Sequence, residues 1–119
     1  MNAEIYLRLP DDVELLKWVD TRFDHRVLVK EMEDICIYHA SFRGAHVALT
    51  ITPRIEGGEF TSLFFAGSLP WTTDAECARD AAANVRVLVR SVPDCLHRED
   101  EWLEVSANGE DLVRWDAPS

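Results

Sequence analysis

The sequence is short of positive charge. It carries 12 Lys and Arg against 22 Asp and Glu, a formal net charge of −10 and a pI near 4.7. Nucleic-acid binding rests on neutralising phosphates with Lys and Arg, so this balance argues against it. A cationic partner is favoured instead, because such a field speeds its association. Cysteine is scarce too. Cys36, Cys77 and Cys95 are odd in number and never closely spaced, which argues against a structural zinc site and fits ordinary thiols in a reducing, cytoplasmic setting. No run of about 18 apolar residues occurs, so no membrane span is expected. Met1-Asn2-Ala3-Glu4 lacks a basic region followed by an apolar one, so no signal peptide is expected.

Catalytic signatures are also missing. A phosphate loop needs a glycine-rich turn opening a helix, but Gly57-Gly58 lies between strands and Gly67 stands alone. A nucleophile elbow needs Gly-x-Ser-x-Gly, which Ala66-Gly67-Ser68-Leu69-Pro70 does not supply. Alternating acids with a central glycine and a closing Glu, as in a calcium loop, are not found. Cys36 and His39 are expected on opposite sheet faces, which removes them as a catalytic pair. Neither an enzyme nor a cofactor is expected.

What the chain has is a core. Its 119 residues, 47% of them hydrophobic and 29% charged, suit one domain spanning residues 1–119. Val27–Gly67 reads as a four-strand antiparallel meander with turns at Glu33-Asp34, Arg43-Gly44 and Gly57-Gly58. Pairing outward from those turns sets Val29 opposite Tyr38, Val27 opposite Ala40, Tyr38 opposite Leu49, Cys36 opposite Ile51, Ile51 opposite Phe64 and Ile55 opposite Phe60. All of these share one apolar face. Pro53 opposes a continuous third strand, and an end near Thr52 or a bulge resolves that conflict. The other face is mixed, and includes His39, His46, Thr50, Leu63 and Phe65.

Before the meander, Glu4–Leu9 alternates as a strand. Pro10-Asp11-Asp12 then opens a short helix whose stripe is Leu15, Leu16, Val19 and Phe23, with Trp18 beside it. After it, Thr73-Asp74-Ala75-Glu76 is a capping box for a helix over Asp74–Val92. Ala78, Ala81, Val85, Leu88 and Val92 face inward, Arg79, Arg86 and Arg90 face outward, and Pro93 ends it. Trp102–Trp115 forms a hairpin turning on Asn108-Gly109, with Trp102 opposite Trp115 on the far face and Leu103, Val105 and Leu112 completing the core. Ala117-Pro118-Ser119 reads as a frayed end. The expected fold is α+β: an antiparallel β-sheet, made of the four-strand meander plus the C-terminal hairpin, with two helices packed on one face. The order is β-α-β-β-β-β-α-β-β.

Two features remain as candidate sites. His39 and His46 meet diagonally across two strands, but no acid stands beside them as a third ligand, so no metal is assigned. The acids gather in loops and turns: Glu31, Glu33 and Asp34 at the first meander turn; Glu99, Asp100, Glu101 and Glu104 before the last; Glu110 and Asp111 beside it. With Trp102 and Trp115 as aromatic anchors, Glu33, Asp34, Glu99, Asp100, Glu101, Glu104, Glu110 and Asp111 form the expected partner-binding set.

An acidic α+β domain with no catalytic motif, acid-rich loops (Glu99-Asp100-Glu101, Glu110-Asp111) and Trp71, Trp102 and Trp115 as candidates for exposed aromatics resembles the small acidic immunity proteins. These protect bacteria from their own or a sibling's toxin. The resemblance implies a basic protein partner, a cognate toxin domain whose active site is occluded, as in toxin–antitoxin pairs and contact-dependent inhibition. Length, pI and the helix–strands–helix–strands order of residues 11–115 are also similar to acidic secretion chaperones. That resemblance implies a homodimer binding an effector segment, although such chaperones usually close with a helix, not a hairpin. A small enzyme or ligand-binding domain is the third reading, resting on His39 and His46 alone.

Overall fold

The computed structural model describes residues 1–55 and 58–116. Among these residues the chain forms β1 (Asn2–Arg8), α1 (Asp12–Arg22), β2 (Asp24–Met32), β3 (Ile35–Phe42), β4 (Ala45–Thr52), β5 (Phe60–Gly67), α2 (Asp74–Val85), β6 (Val89–Ser91), β7 (Glu101–Ser106) and β8 (Gly109–Arg114). The strands make one eight-stranded antiparallel sheet in the order β2-β3-β4-β5-β1-β6-β7-β8. The α+β class and the helix–sheet order are as expected. β6 is an addition.

That addition corrects the second helix. α2 stops at Val85, where Arg86 takes the left-handed conformation (φ 61°) and its N–H donates to the Ala82 carbonyl. The chain then turns onto the free side of β1. The Arg8 N–H donates to the Leu88 carbonyl (2.9 Å), and Tyr6 and Leu7 face Arg90 and Val89. β1 needs a ladder partner on that side, and β-branched Val89 meets that need better than another helical turn. Val89 is consequently fully buried, Val92 is exposed, and Arg90 belongs to the sheet rather than to an outer helix face. The start of α2 matches its expected cap: Thr73 Oγ1 accepts from the Glu76 N–H (3.1 Å). Glu76 reaches one residue further back than a capping box requires, accepting from the Thr72 N–H and hydroxyl.

Strand registers agree with expectation for β3–β4, where Tyr38 faces Leu49 and Cys36 faces Ile51 around the Arg43-Gly44 turn. Two neighbours differ. Between β2 and β3 the Glu33-Asp34 turn is present, but bulges between Leu28 and Lys30 and between Asp24 and Val27 shift the ladder. Leu28 therefore faces Tyr38, and Val27 faces His39. Between β4 and β5, Ile51 faces Leu63 rather than Phe64. β4 ends at Thr52, just before Pro53, and Ile55 lies outside the ladder instead of facing Phe60. The slip by one residue turns Leu63 and Phe65 into the core and sends Phe60 and Phe64 to the other face. The Gly57 half of the expected turn, and Ala117-Pro118-Ser119, lie outside the described residues.

Both helices cover one face of the sheet. Ala75, Ala78 and Ala81 are fully buried, and their small side chains let α2 lie close over Ile5 and Leu7 of β1. α1 adds Leu15, Trp18 and Val19, packed with Phe23 against Phe65. Trp71, expected at the surface, is instead 6% exposed within this aromatic group, its ring centre 5.0 Å from that of Phe65 and 5.6 Å from that of Trp18. Its indole N–H donates to Asp80 Oδ2 (3.0 Å), and Arg22 of α1 binds the same carboxylate through both Nε and Nη2 (2.7 Å each). Burial works to raise the Asp80 carboxyl, but these hydrogen bonds outweigh it and hold the group below the usual carboxylate range. Asp80 thus joins α1, α2 and the Pro70-Trp71 loop.

Candidate functional site

Which acids are free to meet a partner depends on where the sheet places them. With seven strand spacings of about 4.8 Å, the two edges stand roughly 34 Å apart, in a molecule 36 Å along its longest axis. The Glu33-Asp34 turn lies at the β2–β3 edge, and Glu99 through Asp111 lie at the β7–β8 edge. The expected partner-binding residues therefore form two separate surfaces, not one.

At the β7–β8 edge the acids are largely committed to the fold. Glu104 accepts from Arg90 Nε (3.0 Å) and Nη2 (2.9 Å). Glu110 receives both Nε and Nη2 of Arg79, whose Nη1 binds Asp94 (2.9, 3.1 and 3.1 Å). The Glu110 hydrogen bonds, followed by those of Asp94, raise the Arg79 guanidinium above its ordinary value. Asp100 lies 3.9 Å from Arg114. Glu101 accepts from the Arg98 N–H and Asp111 from the Leu112 N–H, while Glu99 makes no hydrogen bond or ion pair among the described residues. Arg79, Asp94, Glu110, Asp111 and the apolar Pro93, Leu103 and Leu112 line a cleft of about 610 Å³, so charge at this cleft is in large part compensated internally.

The tryptophans of this edge are packing residues. The turn is closed over Ala107-Asn108, with Ser106 paired to Gly109 (φ 116°), so Trp102 faces Val113 and Trp115 sits diagonally from it. The hairpin register thus differs by two residues from the expected one, which preserves the faces. Trp102 and Trp115 still meet on the helix-free side, ring centres 5.1 Å apart. They close over Tyr6 edge-to-face at 5.6 and 5.2 Å, and Arg90 lies across Phe60 and Trp115 at 4.7 and 5.0 Å. Tyr6 is buried beneath them. That burial, followed by the Glu4 carboxylate to which its hydroxyl donates, pushes its phenol up to about 12. Leu103 and Val105 join the core, but Leu112 stays exposed on the edge strand.

The β2–β3 edge differs in both charge and packing. Asp12 at the start of α1, with Glu31, Glu33 and Asp34, surrounds a cleft of about 450 Å³ that Cys36, Pro53 and Arg54 complete. None of the four acids makes an ion pair among the described residues. An adjoining cavity of about 140 Å³ shares Asp12, Asp34, Cys36 and Pro53 and runs inward over Leu15, Leu16, Tyr38 and Ile51. The result is an acidic mouth on an apolar floor. The neighbouring edge strand β2 leaves Val27, Leu28, Val29 and Met32 between 45% and 57% exposed. Burial, and then the Glu31 carboxylate, raise the Cys36 thiol, and burial raises Cys77. Both thiols are thereby held away from the reactive thiolate form.

Sequence order could group Glu31, Glu33 and Asp34. It could not show that Asp12, Leu15, Leu16 and Pro53 are brought to them from two other elements. The one available signal was the acid pair Asp11-Asp12. Asp11 proves to be the helix cap, accepting from the Val13 and Glu14 N–H groups, while Asp12 is left facing the cleft. Among the described residues no three His, Cys, Asp or Glu side chains are grouped to hold a metal ion, and no helix is long and apolar enough to cross a membrane.

Fold and site together define an α+β domain with a one-sided helix layer and an acidic cleft at the uncovered edge of its sheet. No protein-family model matches the chain, and neither a curated protein nor a solved structure matches it.

Proposed function

We propose that this chain is an immunity-type inhibitor that binds a basic toxin domain and neutralises it by occluding its active site. The observation that carries the reading is the β2–β3 cleft, where four carboxylates without ion-pair partners among the described residues surround an apolar floor. A lysine or arginine of the partner fits such a place. Its aliphatic stem lies along Leu15, Ile51 and Pro53, and its charged head meets Asp12, Glu31, Glu33 or Asp34 in charge-assisted hydrogen bonds. Toxins that cut nucleic acid hold their substrate with Lys and Arg, so their active surfaces have the matching sign. The net charge of −10 draws such a partner in from a distance. Inhibition of this kind needs no chemistry from the inhibitor, in keeping with thiols pushed up by burial.

Co-expression with a candidate toxin domain, taken from a neighbouring gene where one is found, tests the proposal. The wild-type protein should restore growth, and an E31K/E33K/D34K variant should not. Failure of the wild-type protein to protect against that toxin contradicts the function, and full protection by the variant contradicts the assignment of the cleft.

A further inference from the structure

The helix-free face of the sheet carries a second arrangement, independent of the acidic cleft. His39 on β3 faces Ala48, and Ser41 faces His46 on β4, so the two histidines are diagonal neighbours on one face. Their ring centres are 4.6 Å apart with planes at 89°. Both side chains are exposed, and neither ring nitrogen has a hydrogen-bond partner among the described residues. Ala48 and, in the next strand, Ala66 leave the space beside the pair open.

We propose that His39 and His46 form a two-imidazole chelate for a divalent transition-metal ion, with the remaining coordination positions open to water or an external ligand. No third His, Cys, Asp or Glu is grouped with them among the described residues, which makes the site open rather than structural. A metal–nitrogen bond of about 2.1 Å plus about 1.1 Å from nitrogen to ring centre places each ring centre roughly 3.2 Å from a shared ion. Centres 4.6 Å apart then subtend an angle of about 90° at that ion. A right angle suits the tetragonal geometry of Ni²⁺ and Cu²⁺ better than the wider tetrahedral angle of Zn²⁺. The planes already stand across one another, and rotation about the terminal histidine torsion is soft, so both rings turn toward an ion at little cost. The surplus of carboxylates over the whole chain adds a long-range attraction for cations.

Calorimetric titration of the untagged protein with Ni²⁺ tests this without exposing the thiols to redox-active copper. The expected result is one equivalent bound, with affinity reduced at least about tenfold in H39A and in H46A, because a chelate loses its second, intramolecular contact. Zn²⁺ should bind more weakly than Ni²⁺. Both substitutions lie on the exposed face, so metal-free melting temperatures should match wild type. Unchanged Ni²⁺ affinity in either single variant, or in H39A/H46A, overturns the chelate. Tighter binding of Zn²⁺ overturns the right-angle geometry assigned to it.

Discussion

Both edges of this sheet carry clustered acids and use them differently. At the β7–β8 edge Arg79, Arg90 and Arg114 answer Glu110, Asp94, Glu104 and Asp100, and the tryptophans lie against Tyr6 and Phe60. At the β2–β3 edge Asp12, Glu31, Glu33 and Asp34 share a cleft in which Arg54 is the one cation among the described residues, and the edge strand exposes Val27, Leu28, Val29 and Met32. The larger cleft is at the first edge. Size is therefore the poorer guide. Acids already paired within the chain have lower attraction left for a partner, whereas unpaired acids on an apolar floor supply both charge and area. The β2 edge also shows how an exposed edge is kept from indiscriminate pairing: two bulges interrupt its ladder, and Lys30 sits between its apolar residues.

If the hairpin edge is structural, Trp102→Ala should give the largest effect. Removing the indole from Tyr6 and Trp115 should cost about 3 kcal/mol in denaturant unfolding. A loss below about 1 kcal/mol would release Trp102 as a binding anchor and undo the contrast between the edges. Next in size is Asp80, which joins the two helices between the edges. Asp80→Asn should cost about 2 kcal/mol near neutral pH, an allowance for partial exposure of the Arg22 pair. Its sign with pH follows from the lowered carboxyl. The stabilisation is complete above the ordinary aspartate value of about 4 and is lost as pH falls through the lower folded value. Wild type and Asp80→Asn should therefore converge in stability on acidification, and a gap that stays constant with pH contradicts the charge-based role.

Arg90→Ala comes third, at about 1–2 kcal/mol, because it strips Glu104 of its partner and uncovers Phe60 and Trp115. Smallest of all, Glu33→Gln and Asp34→Asn should leave stability within about 0.5 kcal/mol of wild type, since neither side chain supports the fold. A thermal or denaturant measurement showing a larger destabilisation by either would give the β2 edge a structural role after all.

Much of the fold was legible because local chemistry agreed with tertiary demand. Gly44 at φ 80° fixed the β3–β4 turn and with it the register, and Thr73 marked the start of α2. The misreadings occurred where a distant element decided. β6 exists because β1 lacked a neighbour, and nothing within Arg86–Ser91 announces that vacancy. The β4–β5 slip arises because β4 already ends at Thr52 and β5 begins only at Phe60, so counting outward from Gly57-Gly58 places Leu63 and Phe65 on the wrong face. Trp71 appeared as a loop aromatic, and only the packing of α1 against α2 buries it. For the site, the acid clusters were visible in the sequence. Their separation onto opposite edges was not, because it depends on the strand order of the whole sheet, and their unequal pairing was not, because it depends on arginines supplied by α2, β6 and β8.

The β2–β3 edge, and not the hairpin edge, is the proposed partner surface. Association rates with the proposed toxin partner, measured across a range of salt concentrations for two charge reversals, decide between the edges. E31K/E33K/D34K should slow association by about 100-fold at low salt and flatten its salt dependence. E99K/D100K/E101K, at the far edge, should change the rate by less than about threefold through the altered net charge alone. An equal effect of the two variants, or a larger one from the second, removes the β2–β3 edge as the partner surface.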